Sequence, residues 1–389
     1  MSKPTLRVGM VGYAFMGAAH SQAWRTAPRF FDLPLTPVMS VLGGRNRDNV
    51  AAAAERLGWA SVETDWRRLI GRDDVDAVDI CTPGDTHAEI AIAALEAGKH
   101  VLCEKPLANS VAEAEAMAEA AARATTRGVL SMVGFTYRRV PAIALARKLV
   151  ADGRIGRIYH VRAQYLQDWI VDPDAPLSWR LQKAKAGSGA LGDIGAHIID
   201  LTQHITGDSI GSVSGLLETF VKERPIASDH AGLAGTAGTE RGPVDVDDAA
   251  VFIARFRGGA VGSYEATRFA NGRKNAIRIE INGSLGSIAF DFEDMNLLQF
   301  YDGSEPPETA GFRRILVTEP VHPYVGSWWP PGHLIGYEHG FTHQVVDLVQ
   351  AIADSTPPSP SFADGLQVQR VLAAIESSAQ RRTWQEIAP

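Results

Sequence analysis

Two stretches of this chain hold the residues that could do chemistry. The first is His100-Val101-Leu102-Cys103-Glu104-Lys105-Pro106. There an apolar strand ends in a carboxylate and an ammonium, and Pro106 stops both the ladder and any immediate helix. The second is Gly187-Ser188-Gly189-Ala190-Leu191-Gly192-Asp193-Ile194-Gly195-Ala196-His197. On a helix, Asp193 and His197 share one face a turn apart, and the glycines before them allow backbone to approach a ligand closely. Oxidising a secondary alcohol needs a base for the hydroxyl proton, a role that suits an imidazole. The Lys105 ammonium could hydrogen-bond the same oxygen and stabilise a developing alkoxide. Asp193 could orient the substrate or hold the lysine. Lys105, Asp193 and His197 are therefore the catalytic candidates. Asp200 and His204 continue the stripe, but these positions spread over three turns, too far for one ion, so no metal is expected.

Such a reaction also needs a hydride acceptor, and the N-terminus offers a place for one. Val8-Gly9-Met10-Val11-Gly12-Tyr13-Ala14-Phe15-Met16-Gly17 follows a strand and opens a helix, with the spacing of G-x-G-x-x-G and Ala14 at the second glycine. Gly12 permits the tight turn, Gly17 close packing of helix on strand, and the backbone of Ala14, Phe15 and Met16 an approach to a pyrophosphate. The second strand ends in Leu42-Gly43-Gly44-Arg45-Asn46, without the acidic residue usual for NAD. Arg45 could clamp the 2′-phosphate of NADP or lie over the adenine, while Gly44 amides or Asn46 serve the ribose. These residues by themselves lean towards NADP. Thr82-Pro83 and His87 follow another strand, Thr82 as a flank for phosphate or ribose and His87 as a contact or a cap. Glu104 could accept from the nicotinamide ribose or pair with Lys105.

The elements needed to position these groups can be read from periodicity. Strands at 6–11, 38–43, 75–81, 101–103 and 129–135 alternate with helices at 16–27, 49–57, 86–97 and 111–124. Such βαβ alternation implies an α/β fold with a doubly wound parallel sheet, a Rossmann domain over 1–136. Beyond Pro141 a helix at 142–150 leads into strands at 158–166, 213–220, 249–256, 262–267, 277–281, 287–290 and 297–301, with a helix at 193–204. This predicts a second α/β domain over 137–389, built on a large, mostly antiparallel open sheet and closed by helices at 336–354 and 363–381. Residues 222–247 show little periodicity and are expected to form a long loop, either a lid or a solvent-exposed excursion.

Composition excludes several classes of partner. With 389 residues the chain exceeds one core. The net charge of -7 comes with no basic stripe, so no nucleic-acid partner is expected. Cys81 and Cys103 lie in apolar runs and suit a reducing compartment. No apolar stretch reaches membrane-spanning length, and the segment before Gly9 is too short and polar for a signal peptide. A cytoplasmic protein with no membrane partner is expected.

Taken together, Gly12 to Gly17 with His20, Thr82-Pro83 with His87, Glu104-Lys105-Pro106, Tyr137-Arg138, and Gly192-Asp193 with His197 resemble the Gfo/Idh/MocA oxidoreductases, over nearly the whole chain. The resemblance implies a Rossmann domain, a second domain whose open sheet forms subunit contacts (commonly in tetramers), and Lys105, Asp193 and His197 as the catalytic group. Within the family, residues 14–21 and the Gly44-Arg45-Asn46 strand end are similar to an anhydro-sugar dehydrogenase that uses NAD without an acidic strand end and oxidises C3. That implies NAD here, against the lean of the strand end towards NADP. A sugar needs hydrogen-bonding partners for its hydroxyls and flat rings for its C–H faces. Tyr137, Gln167, Trp169 and Arg180 are the substrate-binding candidates beside Lys105, Asp193 and His197. The rivals are an NADP-linked reductase of anhydro- or keto-sugars, an inositol or polyol dehydrogenase, and a non-catalytic dinucleotide sensor. A sensor would have no use for a proton-transfer set.

Overall fold

The computed structural model describes residues 3–231 and 234–388. The chain divides into two compact units, Met1–Thr136 with Gly336–Leu366, and Tyr137–Ile335 with Gln367–Pro389. In the first unit, β1 (Thr5–Val11), α1 (Phe15–Phe30), β2 (Thr36–Gly43), α2 (Arg47–Leu57), β3 (Ser61–Glu63), α3 (Trp66–Ile70), β4 (Ala77–Ile80), α4 (His87–Glu96), β5 (His100–Cys103), α5 (Val111–Thr125) and β6 (Ser131–Val133) build a six-stranded parallel sheet. Its order is β3-β2-β1-β4-β5-β6, a doubly wound sheet whose direction of winding reverses between β1 and β4. The short β3 and α3 escape the periodicity because each is brief and mixes polar with apolar residues, unlike the apolar run at 101–103.

Register places the strand ends side by side. Val11 pairs with Gly43 and with Ile80, and Ile80 with Cys103. Gly12, Gly44, Cys81 and Glu104 therefore line one edge of the sheet. From β2 to β5 is three strand spacings, roughly 14 Å, a span that suits an extended dinucleotide.

One expectation about domain content needs correction. Residues 336–366 were assigned to the second domain, yet they belong to the first unit. The buried face of α9 (Tyr337–Asp354), with Phe341, Val345, Leu348 and Val349, joins the core formed by Trp24, Ala27, Leu6 and Val8. The Val133 N–H also donates to the Pro360 carbonyl at 3.0 Å. Position in the chain was a poor guide because this helix matches the apolar stripe of α1, far away in sequence.

In the second unit, α6 (Pro141–Ala151) precedes β7 (Ile158–Leu166), and α7 (Lys183–Ala186) and α8 (Ala196–Thr206) precede β8 (Ile210–Glu218). There follow β9 (Glu223–Ala231), β10 (Ala234–Pro243), β11 (Ala249–Phe256), β12 (Val261–Thr267), β13 (Ala276–Gly283), β14 (Gly286–Asp291), β15 (Leu297–Asp302), β16 (Arg313–Leu316) and, near the C-terminus, β17 (Gln385–Glu386). Nine of these form one sheet, β16-β15-β14-β13-β7-β12-β11-β8-β17. Its pairs are antiparallel except β12 with β7, which run parallel. Along β11 Ala250, Phe252, Ala254 and Phe256 are buried while Val251 and Ile253 are about half exposed, which is the alternation of a sheet covered on one face. A final helix, α10 (Phe362–Arg381), begins in the first unit and ends in the second.

The expected loop at 222–247 is instead largely the antiparallel hairpin β9–β10, of which Gly232 and Leu233 lie outside the described residues. The fully buried Arg224 donates to the Asp172 and Ile170 carbonyls, both at 2.6 Å, and the Leu177 N–H donates to the Pro225 carbonyl at 2.7 Å. A small core of Ile170, Leu177, Leu181, Val244 and Val246 closes around it. The hairpin is thus a strut for residues 170–177 rather than a free lid. Small and polar residues on both strands hid the period of two. Among the described residues, no helix is long and apolar enough to cross a membrane.

Candidate active site

The turn after β1 is shaped by glycine. Gly12 has φ of +100°, and a Cβ there would lie 2.6 Å from the Cys81 carbonyl oxygen; one on Gly17 would lie 2.2 Å from the Gly12 carbonyl oxygen. Ala14 is the N-cap of α1 and supplies no side-chain cap, so the first amides of the helix are left for an anion. This cradle fits a pyrophosphate. The Phe15 ring stacks on Tyr337 of the same unit, centroids 6.3 Å apart, so Phe15 offers the turn its backbone. Met16 follows in the first turn of α1. At the end of β2, a Cβ on Gly44 would sit 2.1 Å from the Tyr13 ring, which explains the glycine there. Arg45 is exposed. The Asn46 side chain accepts from the Asn49 N–H at 2.9 Å and caps α2, which leaves its amide NH2 as the group it could offer a ribose.

Several residues expected to touch the cofactor turn out to be tied into the protein. Glu104 is 4% exposed; one oxygen meets His20 Nε2 at 2.9 Å and the other accepts from the Lys105 N–H at 3.2 Å. It thereby holds the backbone of Lys105 at the end of β5. His20 Nδ1 faces the Asp79 carboxylate at 2.9 Å, and Asp79 also accepts from Trp24 Nε1 at 2.7 Å. Burial pushes the His20 pKa down, but Asp79 and Cys81 together outweigh it and the ring is held well above its ordinary value. An imidazolium thus bridges two buried carboxylates beneath the end of β5. His87 is no simple cap: its Nε2 lies 2.9 Å from the Thr82 carbonyl and its Nδ1 3.0 Å from that of Pro106. It braces the Thr82-Pro83 turn against the Lys105-Pro106 turn, whose connecting peptide is cis.

In the second unit, the helix expected from 193 starts earlier, with a π-helical turn Leu191–Gly195 running into α8. The cause is Asp247, which the sequence reading missed. Its two carboxylate oxygens accept from the Gly189 and Leu191 N–H groups, each at 2.7 Å, and its carbonyl accepts from the Ala190 N–H at 2.9 Å. Burial raises the Asp247 pKa while those two N–H groups oppose the rise. Asp193 emerges partly exposed from this turn, its Oδ2 3.5 Å from Nη1 of the fully buried Arg268. Arg180 faces it too; burial lowers the pKa of that guanidinium and Asp193 acts against the fall.

His197 packs beside both Tyr137 and Tyr165, ring centroids 4.7 and 5.8 Å away, and the two tyrosine rings also meet each other edge-on at 6.1 Å. A polar chain runs on from it. The two tyrosine hydroxyls lie 2.9 Å apart, the Tyr165 O–H donates to Asn275 Oδ1 at 2.7 Å, Gln167 Nε2 donates to the same oxygen at 2.8 Å, and Trp169 Nε1 donates to Gln167 Oε1 at 2.9 Å. Tyr137, Gln167, Trp169 and His197 are thereby one connected cluster. Tyr165 and Asn275 were missed: Tyr165 could have been found two residues from Gln167 on β7, but Asn275 reaches the cluster only through the pairing of β13 with β7.

The far end of the stripe is structural. Asp200 is buried and accepts from Arg138 Nε at 2.8 Å, tying α8 to the turn that carries Tyr137. Burial, and then Arg138, Arg147 and Arg139, push His204 down to about 3. The unfolded chain takes up that proton near pH 6.5, so the contribution of His204 to stability is complete above 6.5 and lost as pH falls towards 3. His204→Gln is expected to flatten the fall in urea midpoint across that window. An unchanged slope would refute the assignment.

Residues 6–135 match the profile described as "Oxidoreductase family, NAD-binding Rossmann fold", and residues 143–289 that of the "GFO/IDH/MocA C-terminal domain". The chain belongs to the Gfo/Idh/MocA oxidoreductase family, and its cofactor is NAD. It is 46% identical over 387 residues to levoglucosan dehydrogenase of Pseudarthrobacter phenanthrenivorans, covering 98% of each chain. The structure of levoglucosan dehydrogenase in complex with NADH and levoglucosan superposes with a TM-score of 0.93 at 45% identity, over 99% of this chain and 100% of that one. An oxidoreductase domain protein from Kribbella flavida gives a TM-score of 0.95 at 75% identity, over 99% and 100% of the two chains.

Proposed function

We propose that this chain is an NAD-dependent sugar dehydrogenase that oxidises a secondary hydroxyl of a pyranose-type sugar, with levoglucosan, oxidised at C3 to the 3-keto sugar, as its substrate. The observation that carries this reading is the polar cluster around His197, in a chain so similar in sequence and fold to levoglucosan dehydrogenase. When bound, NAD supplies the hydride acceptor. His197 takes the hydroxyl proton, and its packing against the two tyrosines restricts its ring for that transfer. Lys105 donates a hydrogen bond to the oxygen as it becomes an alkoxide. Asp193, Arg180 and Gln167 hold neighbouring hydroxyls, and Trp169 and Tyr137 offer flat surfaces to the C–H faces.

We assign Gly12, Ala14, Phe15, Met16 and Gly17 to the pyrophosphate, Gly44, Arg45 and Asn46 to the adenosine end, and Thr82, Pro83 and His87 to shaping the same edge. Leu216, Val251, Ile253 and Val261 are exposed on the open face of the large sheet. That supports self-association, and a homotetramer working in the cytoplasm is our reading. The test is to screen levoglucosan, other anhydro-sugars, inositols and aldoses for NAD reduction, with NADP in parallel. Levoglucosan should give the highest kcat/KM, and NAD should be preferred. An inositol or open aldose turned over faster would overturn the substrate, and a strong preference for NADP the cofactor.

A further inference from the structure

We infer that Arg268 is a positioning residue for the sugar oxidation: its guanidinium anchors the Asp193 carboxylate and fixes the direction in which that carboxylate accepts a substrate hydroxyl. The inference rests on the sugar-dehydrogenase reading and on geometry inside the second unit. Arg268 follows β12 and is 0% exposed. Its Nη2 donates to the Asp247 carbonyl at 3.2 Å, its Nη1 lies 3.5 Å from Asp193 Oδ2, and its guanidinium carbon sits 5.5 Å from the centre of the Trp169 ring. One side chain therefore touches the residue that clasps the start of the π-helical turn, the carboxylate that turn presents, and an aromatic candidate for sugar contact.

Stability does not account for such a group. Nε of Arg268 has no hydrogen-bond partner among the described residues, and the contact of Nη1 with Asp193 is an ion pair rather than a hydrogen bond. Burying a guanidinium with so few of its donors hydrogen-bonded is unfavourable, and an apolar side chain of similar volume would pack with less penalty. The neighbouring charges also single it out. Arg180 faces Asp193 from the turn Trp179–Leu181, but it is partly exposed and lies over the neighbouring Trp179 ring at 4.4 Å. Asp248 is engaged by the Phe220 N–H, and Arg224 by the backbone of 170–172. Arg268 is a fully buried cation that meets Asp193, and its planar fork resists rotation once one edge is bound to a carbonyl.

The test is a double-mutant cycle with Asp193→Asn in the full-length protein, read as kcat/KM for levoglucosan with NAD. Arg268→Met should lower kcat/KM about 10- to 100-fold, the scale on which small misplacements of a reacting group act. In the Asp193→Asn background the same change should cost less than about threefold, because the two residues act as one unit. Arg268→Lys, which keeps the charge without the fork, should recover part of the loss, and NADH affinity should stay within about twofold of wild type. Equal losses in both backgrounds would mark Arg268 as merely structural and overturn the inference. If Arg268→Met does not fold, Arg268→Lys is carried through the same cycle under the same criterion. A wild-type protein that reduces NAD with no sugar would overturn the functional reading, and this inference with it.

Discussion

Lys105→Ala is expected to reduce sugar turnover at saturating NAD by roughly a hundred- to ten-thousand-fold, the range for losing a hydrogen-bond donor to a developing oxyanion or a general acid–base group. NADH affinity, followed by fluorescence, should stay within a few-fold. The separation has a structural reason. The backbone at Lys105 is held independently of its side chain, by the Glu104 carboxylate on its N–H and by His87 on the next carbonyl. Glu104 is in turn fixed by His20, which is fixed by Asp79. Removing the ammonium therefore leaves the strand end and the glycine turn beside it in place. The opposite pattern, normal turnover at saturation with weakened NADH binding, would reduce Lys105 to a cofactor contact and remove it from the chemistry.

This hierarchy of support was only half legible in the sequence. Local signals were clear wherever the chemistry needs a special backbone. Gly12 and Gly17 stand where a Cβ would collide with neighbouring backbone, and strand–helix alternation set them at the carboxyl edge of a parallel sheet. Lys105, Asp193 and His197 stand out as catalytic candidates because ionisable residues in glycine- and proline-bounded runs are conspicuous. Their supporting residues were not, because each acts across the chain. Asp79 meets a histidine 59 positions earlier, Asp247 grips amides more than 50 positions earlier, and Arg268 follows an ordinary strand. The structural contacts of Glu104 and His87 were hidden too, since sequence cannot say which face of a polar group is already occupied. The hairpin at 223–243 was missed for the complementary reason: its small and polar residues have no core-facing rhythm, and it is fixed by a buried arginine and by backbone contacts to residues 170–177.

The largest effect expected in the second unit comes from adding a single methyl group. A Cβ on Gly189 would lie 1.8 Å from the Asp247 carbonyl oxygen and under 3 Å from two further backbone atoms of that residue, so no side-chain rotation relieves it. In Gly189→Ala, residues 187–192 must withdraw from Asp247. That removes the N–H groups of Gly189 and Leu191 from a buried carboxylate, each bond to a charged group being worth about 1.5–3 kcal/mol. Asp247 then has burial, which already raises its pKa, acting on it with less opposition. The π-helical turn loses the clasp that sets its start, and Asp193 and His197 turn with it. Since a displacement of 1 Å can cost a hundredfold in rate, kcat/KM should fall at least about 100-fold and thermal stability should drop. NADH affinity, which we assign to the glycine turn of the first unit, should stay near wild type. Gly192→Ala is the control, since its Cβ would meet only the rotatable Ser188 hydroxyl oxygen, and it should cost far less. Equal losses from the two substitutions would mean that glycine content, rather than the grip of Asp247, sets the turn.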